Sequence, residues 1–150
     1  MKKIVSAVLG LSLLFAVSAQ AAVKVKKDQQ VYFEKDVIVW DRQDVAGGKG
    51  TLAGKFAYTR NDADIDYVLK EIGWMTLQPG ESVGSHKHVD NEDTYIILSG
   101  EGTFTDTKGK TFKVKKGDVT IARPGQSHGL ANTGKEPLVF LDIIGKNSGK

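Results

Sequence analysis

The sequence predicts an all-β fold, and three observations support this. Short runs rich in β-branched and aromatic residues recur along the chain. Glycine-containing turn signals separate them, for example at Pro79-Gly80, Gly117-Asp118 and Pro124-Gly125. No segment has the sustained 3.6-residue periodicity of a long amphipathic helix. Many short strands at this spacing are typical of a β-sandwich or β-barrel.

The strands are predicted where such runs stand between two turn signals. In chain order they are Val37 to Trp40, Val68 to Leu77, Thr94 to Leu98, Gly102 to Thr105, Thr111 to Val114, Val119 to Ala122, His128 to Ala131 and Leu138 to Ile144. The stretch Asn61 to Leu69 is acidic and poor in strand formers, so we expect a helical turn there. Four large apolar side chains are expected in the core: Trp74, Met75, Phe104 and Phe112.

The N-terminus has the pattern of a secretory signal peptide over residues 1–21. Lys2 and Lys3 precede an apolar run from Ile4 to Val17, and Ala19-Gln20-Ala21 is a small-x-small cleavage site. The apolar run is shorter than the roughly 20 residues that span a membrane. We therefore expect a single mature domain, residues 22–150, exported to the periplasm or secreted, with no membrane association after cleavage. The alternative is an uncleaved N-terminal anchor.

Composition narrows the possible partners and ligands. The chain has no cysteine, so a metal would be held by nitrogen and oxygen atoms. Without Lys2 and Lys3 the chain has 19 basic and 18 acidic side chains. Acidic residues interrupt the lysine clusters, and no basic stripe with interleaved aromatic residues is present, so nucleic acid is not an expected partner.

The three histidines of the chain fall in two short segments. His86 and His88 are two residues apart, so on an extended strand both imidazoles project from one face. His128 reaches the same ion if two strands of a barrel bring the segments together. The fourth ligand is expected from the acidic residues between Asp90 and Asp93. The alternative is that the histidines are ordinary surface or hydrogen-bonded residues.

At these residues the sequence resembles the cupin superfamily. The first cupin motif has a glycine, five residues, His-x-His, three or four residues, a glutamate, six residues and a glycine. Here it runs from Gly80 to Gly100, and counting back from Gly100 puts Asp93 at the glutamate position. Glu92 stands one position too early and remains the alternative ligand, because a one-residue slip of the strand would turn it inward.

The second cupin motif has a glycine, five residues, Pro-x-Gly, two residues, a histidine, three residues and an asparagine. This chain matches it at Gly117, Gly125, His128 and Asn132, but Arg123 occupies the usual proline position. The resemblance covers residues 47–144 approximately. It implies a jelly-roll β-barrel of the cupin type.

The resemblance also implies one divalent transition metal bound by His86, His88, Asp93 and His128. Iron, manganese, zinc, nickel and copper all suit three imidazoles and one carboxylate. An octahedral ion would keep two positions for a small molecule. Tyr95, on the same face as Asp93, is a candidate to hydrogen bond a substrate or to act as an acid or base. Arg123 is a candidate to hold a carboxylate at the barrel mouth; the alternatives are a wall tyrosine and a solvated arginine.

These features lead to two functional hypotheses. The first is an exported metal-dependent enzyme acting on a small oxygen-rich molecule, with dioxygenase chemistry slightly favoured over isomerase or lyase chemistry. The second is a non-catalytic periplasmic protein that binds a metal or a small ligand. A metal-free storage-type barrel is a third. The resemblance also implies a homodimer, for which Val23 to Trp40 could supply a pairing strand.

Overall fold

The computed structural model describes residues 29–64 and 66–146. The predicted signal peptide, residues 1–21, lies outside the described residues. Within the described ranges, no helix is long and apolar enough to cross a membrane.

The described residues form an almost entirely β structure, which confirms the predicted fold class. Two 3₁₀ turns occur, at Glu34–Asp36 and Val45–Gly47. The strands are β1 (Ile38–Val39), β2 (Arg42–Gln43), β3 (Thr51–Tyr58), β4 (Leu69–Leu77), β5 (Ser82–Lys87), β6 (Glu92–Ser99), β7 (Glu101–Thr105), β8 (Thr111–Lys115), β9 (Val119–Ala122), β10 (Ser127–Ala131) and β11 (Leu138–Gly145).

The strands form two antiparallel sheets that pack as a jelly-roll barrel. The larger sheet has seven strands in the order β1-β3-β4-β11-β6-β9, with β2 also pairing with β3. The smaller sheet has the order β5-β10-β7-β8. Strands that are far apart in sequence are therefore neighbours, and the two histidine segments meet on β5 and β10.

Alternating side chains on the larger sheet build the core. On β11 the inward positions are Leu138, Phe140, Asp142 and Ile144, and all four are buried. Phe140 lies beside Met75 of β4 and Ile97 of β6 in one cross-strand row. Burying a side chain of this size stabilises the fold by roughly 2 kcal/mol. This row fills one end of the barrel with apolar atoms.

The predicted list of strands omitted three strands of the barrel, β2, β3 and β5, and two aromatic residues were placed wrongly. Of β5, only the stretch around His86 and His88 was considered as extended. Strand β3 was not predicted because its glycine, alanine and lysine residues weaken the strand signal, and β2 is too short to detect. Trp74 is 43% exposed and Phe112 is 41% exposed, so the prediction that both are core residues was wrong. Both lie on outward positions of their strands, while Met75 and Phe104 are buried as predicted.

The segment predicted to form a helical turn contains isolated turns. The amide of Ala63 donates to the carbonyl of Thr59, and the amide of Tyr67 donates to the carbonyl of Asp64. Asp62 also accepts hydrogen bonds from the Thr59 amide and hydroxyl. Among its described residues no regular helix forms.

A close approach between two backbones fixes the position of β5. Gly84 of β5 faces the 3₁₀ turn Val45–Gly47, and a Cβ atom at Gly84 would lie 2.1 Å from the carbonyl oxygen of Ala46. Lys49 and Ser82 exchange backbone hydrogen bonds of 3.1 and 2.8 Å beside this contact. Only glycine allows the two backbones to pack this tightly. The contact holds β5 against the rim of the barrel two residues before His86.

Candidate metal centre

Strand β5 and its continuation present His86 and His88 on one face. His86 lies within β5, and backbone hydrogen bonds extend the pairing past the end of the strand. The His88 amide donates to Gln126 at 2.9 Å, and the Gly125 amide donates to His88 at 2.7 Å. The extended backbone therefore places both imidazoles on the inner side, as the two-residue spacing predicts.

Strand β10 brings His128 beside this pair. His128 is the cross-strand partner of His86, and its side chain is fully buried. The turn that precedes β10 has Pro124 followed by Gly125 at φ 88°, a left-handed conformation that suits glycine. The shift of the proline relative to the cupin motif thus leaves the turn and the histidine in place.

Strand β6 supplies Asp93 and turns Glu92 away. Its burial alternates, with Asp93 2% exposed on the inner face and Glu92 on the outer face. The Oε1 atom of Glu92 lies 3.6 Å from Nε of Arg123, and both side chains are more than half exposed. The strand register therefore puts Asp93 in the cluster and Glu92 outside it. Arg123 forms a surface ion pair and does not line the site.

The donor atoms of the four residues converge. The Nε2 atom of His128 lies 3.0 Å from Nε2 of His88 and 3.2 Å from Nε2 of His86. The Oδ2 atom of Asp93 lies 3.4 Å from Nε2 of His88 and 3.3 Å from Nε2 of His128. Donors bound to one ion at about 2.1 Å stand roughly 3.0 to 3.4 Å apart at octahedral or tetrahedral angles. The arrangement fits one metal ion.

The outer ring nitrogens orient two of the imidazoles. Nδ1 of His86 donates to the carbonyl oxygen of Gly84 at 2.9 Å, and Nδ1 of His88 donates to Oδ1 of Asn91 at 2.7 Å. A proton on Nδ1 leaves the Nε2 lone pair free to bind a metal. Nδ1 of His128 is buried with no hydrogen-bond partner among the described residues.

Burial sets the protonation states of the ligands. It lowers the pKa of His128 to about 4 and lowers the pKa values of His86 and His88 from their usual value. Burial raises the pKa of Asp93 to about 6, and the negative charge of Glu71 acts in the same direction. The cluster thus has neutral imidazoles and a carboxyl group that releases its proton near pH 6. Deprotonated donors are the forms that bind a metal.

Tyr95 forms part of the wall behind the ligands. Its ring stacks on His128 with centroids 4.7 Å apart, and it also contacts the Phe140 ring, which is tilted by 52° with centroids 4.7 Å apart. Burial raises the pKa of Tyr95 well above its usual value, and the charge of Asp93 adds to the effect. The phenol therefore remains protonated at neutral pH. The structure places this predicted residue at the cluster, and its catalytic role stays a prediction.

Two further carboxyl groups beside the cluster were missed by sequence reasoning. Asp142 of β11 and Glu71 of β4 are both buried. Asp142 contacts Asp93, and burial raises its pKa well above the usual value, so it stays protonated at neutral pH. Glu71 accepts two hydrogen bonds from the guanidinium of Arg60, from Nε at 3.1 Å and from Nη2 at 3.2 Å, and a third from the Arg60 backbone amide at 3.4 Å. A usable signal was present, because both acids share the parity of the inward apolar residues on their strands.

Asn132, the last residue of the second motif, holds the end of the barrel away from the cluster. Its side-chain amide donates to the carbonyl oxygens of Leu77 and Glu136 at 2.8 and 2.9 Å. Its Oδ1 atom accepts from the amide of Gly134 at 3.0 Å. It fixes loops and does not contribute to the cluster.

Three comparisons relate this chain to known proteins. An oxalate-binding protein from Thermotoga maritima is 40% identical over 98 residues, which cover 65% of this chain and 78% of that protein. A crystal structure described as a predicted oxalate decarboxylase from Thermotoga maritima is 33% identical with a TM-score of 0.70, and the match covers 78% of this chain and 99% of that one. A gentisate 1,2-dioxygenase from a Ralstonia species is 34% identical over 73 residues, which cover 49% of this chain.

The likeness to the dioxygenase is restricted to the barrel, because the match covers only 20% of that enzyme's length. The family model described as Cupin domain matches residues 73–144, which include all four residues of the cluster. The two motifs, the two-sheet barrel and these likenesses agree, and the chain belongs to the cupin family.

Proposed function

We propose that the mature protein binds one divalent transition metal and uses it to capture a small dicarboxylate of the oxalate type. The observation that carries this proposal is the convergence of three imidazole nitrogens and one carboxylate oxygen within 4.8 Å in the barrel. The residues that would hold the ion are His86, His88, Asp93 and His128. When bound, the metal would supply a Lewis acid for carboxylate oxygens.

Oxalate is the preferred probe for two reasons. The relative described as oxalate-binding aligns over 78% of its own length, whereas the dioxygenase aligns over a fifth. Four protein ligands leave two positions of an octahedral ion for an incoming molecule, and oxalate can chelate through two oxygens. Iron, manganese, zinc, nickel and copper all remain candidates for the ion.

The central experiment measures metal content and oxalate binding on the same sample. Mature protein, residues 22–150, is purified without chelators and analysed by elemental analysis beside a His86→Ala/His128→Ala variant. We expect about one divalent ion per wild-type chain and none in the variant. Metal at a free concentration of 100 times its Kd should raise the free energy of unfolding of wild type by about 2.7 kcal/mol.

Titration calorimetry then tests the ligand. Oxalate should bind to the metal-loaded wild type and to neither the metal-free protein nor the double variant. Equal metal content in wild type and variant would refute the metal centre. A loaded wild type that gives no heat with oxalate would refute the dicarboxylate and leave the metal centre standing.

A metal-dependent enzyme is the second candidate, and the proton-holding groups at the cluster favour it. Tyr95 and Asp142 are buried beside the candidate ligands, where each could donate or accept a proton during turnover. Oxygen uptake with gentisate and carbon dioxide release from oxalate separate a dioxygenase from a decarboxylase. Turnover that is lost in the double variant would establish an enzyme, and its absence with tight oxalate binding would support a capture protein.

Export is part of the proposal. The charged start, apolar run and small-x-small site of residues 1–21 support cleavage after Ala21. Mass spectrometry of the protein from a periplasmic fraction should give a mature chain that begins at Ala22. A full-length chain in the membrane fraction would instead indicate an uncleaved anchor.

A further inference from the structure

His128 differs from the other two histidines of the cluster in what surrounds its outer ring nitrogen. The Nδ1 atoms of His86 and His88 lie 2.9 and 2.7 Å from oxygen acceptors. Nδ1 of His128 is buried and has no hydrogen-bond partner in the described part of the chain. A metal at Nε2 leaves the imidazole proton on Nδ1. The loaded site would therefore contain a buried N–H donor at His128 without an oxygen acceptor, which is destabilising unless another group accepts the proton.

Two aromatic side chains contact the His128 ring. Tyr95 stacks on it, with an interplanar angle of 25° and centroids 4.7 Å apart. Phe104 of β7 stands nearly perpendicular to it, at 74°, with centroids 5.8 Å apart. In such a T-shaped pair, the electropositive edge of one ring favours the electronegative face of the other. Because Nε2 of His128 faces the other two histidines, the N–H edge available to Phe104 is the one that carries Nδ1.

The hydroxyl group of Thr120 is a competing acceptor on the neighbouring strand. Thr120 is the cross-strand partner of Tyr95, and its Oγ1 atom is also buried without a hydrogen-bond partner among the residues that the structure describes. A hydrogen bond between Oγ1 and Nδ1 of His128 would satisfy both atoms. Since both are unpaired, they do not form a direct bond, and the Phe104 face is the better candidate.

We propose that Phe104 is a positioning residue of the metal centre, whose ring face accepts the Nδ1–H of His128 when Nε2 binds the ion. This inference rests on the metal centre of the proposed function. A ring face is a weaker acceptor than the oxygen atoms beside Nδ1 of His86 and His88. It therefore raises the basicity of the imidazole less, which makes His128 the weakest of the three imidazole donors.

Nuclear magnetic resonance of the imidazole protons tests this contact. Residues 22–150 are loaded with zinc, which is diamagnetic, and the Nδ1 protons of the three histidines are recorded. A proton bonded to oxygen resonates downfield, whereas the ring current shifts a proton above an aromatic face upfield. We expect the His128 proton to lie upfield of the other two. Phe104→Leu, which removes the ring and keeps an apolar side chain, should move it downfield.

Zinc affinity tests whether the contact positions the ligand. Phe104→Leu should bind zinc about threefold to tenfold more weakly, because the His128 ring loses its acceptor. Phe104→Tyr keeps a ring face and should retain the affinity and the upfield proton. Phe104 borders a pocket of about 190 Å³, which has room for the added hydroxyl group. Phe112→Leu is the matched control, since Phe112 is the cross-strand partner of Phe104, and it should change neither measurement.

The outcomes separate this inference from the metal centre itself. A zinc-loaded wild type whose His128 proton lies as far downfield as the other two would overturn the inference and leave the metal centre standing. A shift that responds to Thr120→Val and not to Phe104→Leu would also overturn it, in favour of Thr120 acting through a buried water. Unchanged zinc affinity in Phe104→Leu would overturn the positioning role. If that variant does not fold, Phe104→Met replaces it with the same expected results. A wild type that binds no zinc overturns both the inference and the metal centre.

Discussion

Burial raises the pKa of Asp93 but lowers the pKa values of the three histidine ligands, so it favours the uncharged form of all four side chains. Burial keeps the histidines neutral, which is the form that binds a metal, but it also keeps Asp93 protonated to about pH 6, the form that does not. Asp142 lies against Asp93 and holds a proton as well. Below about pH 6, a metal that enters the cluster must therefore displace a proton from Asp93.

Metal affinity should depend on pH through this residue. Above pH 6 Asp93 is already deprotonated, so affinity should be nearly constant up to pH 8. Below pH 6 the metal competes with the proton, and affinity should fall by about tenfold per pH unit. Competition titrations with zinc between pH 5 and 8 measure the profile.

An Asp93→Asn variant is the control for this profile. It should bind zinc more weakly and lose the change of slope near pH 6, because it has no proton to release. Affinity that begins to fall near pH 6.5 in both proteins would indicate histidines with ordinary pKa values instead. That result would contradict the assignment of the proton to Asp93.

At the scale of strands, the position of His86 depends on the backbone contact at Gly84. A Cβ atom at Gly84 would lie 2.1 Å from the Ala46 oxygen and 2.7 Å from the Gly48 nitrogen, both of which are backbone atoms. The Gly84 carbonyl also accepts the hydrogen bond that orients the His86 ring. A shift of β5 would therefore move a metal ligand.

Gly84→Ala should lower both stability and metal affinity. Forcing the strand away from the 3₁₀ turn should cost about 3 kcal/mol of folding free energy, at the upper end for overpacking. Gly145→Ala is the matched control, since its Cβ would meet nothing closer than 3.9 Å. Urea unfolding and zinc titration of both variants check the prediction. Equal effects of the two substitutions would show that the close approach at Gly84 is not required.

The strands also show what could be read from the sequence. The spacing of His86, His88 and His128 is enough to predict the cluster, because two-residue alternation and the cupin motifs fix which side chains meet. The choice of Asp93 over Glu92 needed the register of β6, since both faces of that strand are rich in apolar residues. The position of Trp74 needed the sheet order, because Lys70 and Thr76 mark its face of β4 as polar while Glu71 gives the same signal for the opposite, inner face.

The barrel as a whole divides its interior into an apolar end and a polar end. Rows that contain Ile97, Phe140 and Met75 fill one end, while Asp93, Asp142 and Glu71 lie at the other. The polar end is produced by single acidic residues on the inner faces of strands whose other inward residues are mostly apolar. Sequence reasoning could weigh each acid alone, but only the closed fold brings three of them beside the histidines.

Outside the barrel, the larger sheet presents an apolar face around a groove of about 780 Å³. The exposed side chains that line this groove include Val39 and Trp74, which are 56% and 43% exposed. Lys55 and Asp41 line the same groove with opposite charges. A surface that has both signs and an apolar centre can pair with its own copy across a two-fold axis. We propose a second copy of this chain as the partner for this face.

Sedimentation velocity of residues 22–150 should therefore give a dimer that Trp74→Glu dissociates. The substitution places a charge at the centre of the apolar face, where it would be desolvated in the dimer, and leaves the monomer core untouched because Trp74 points outward. Phe112→Glu is a matched control on the smaller sheet, since Phe112 has nearly the same exposure at 41%. A dimer that survives Trp74→Glu and dissociates with Phe112→Glu would move the interface to the other sheet. A wild-type monomer at high micromolar concentration would exclude it, and the apolar face would then need a different partner.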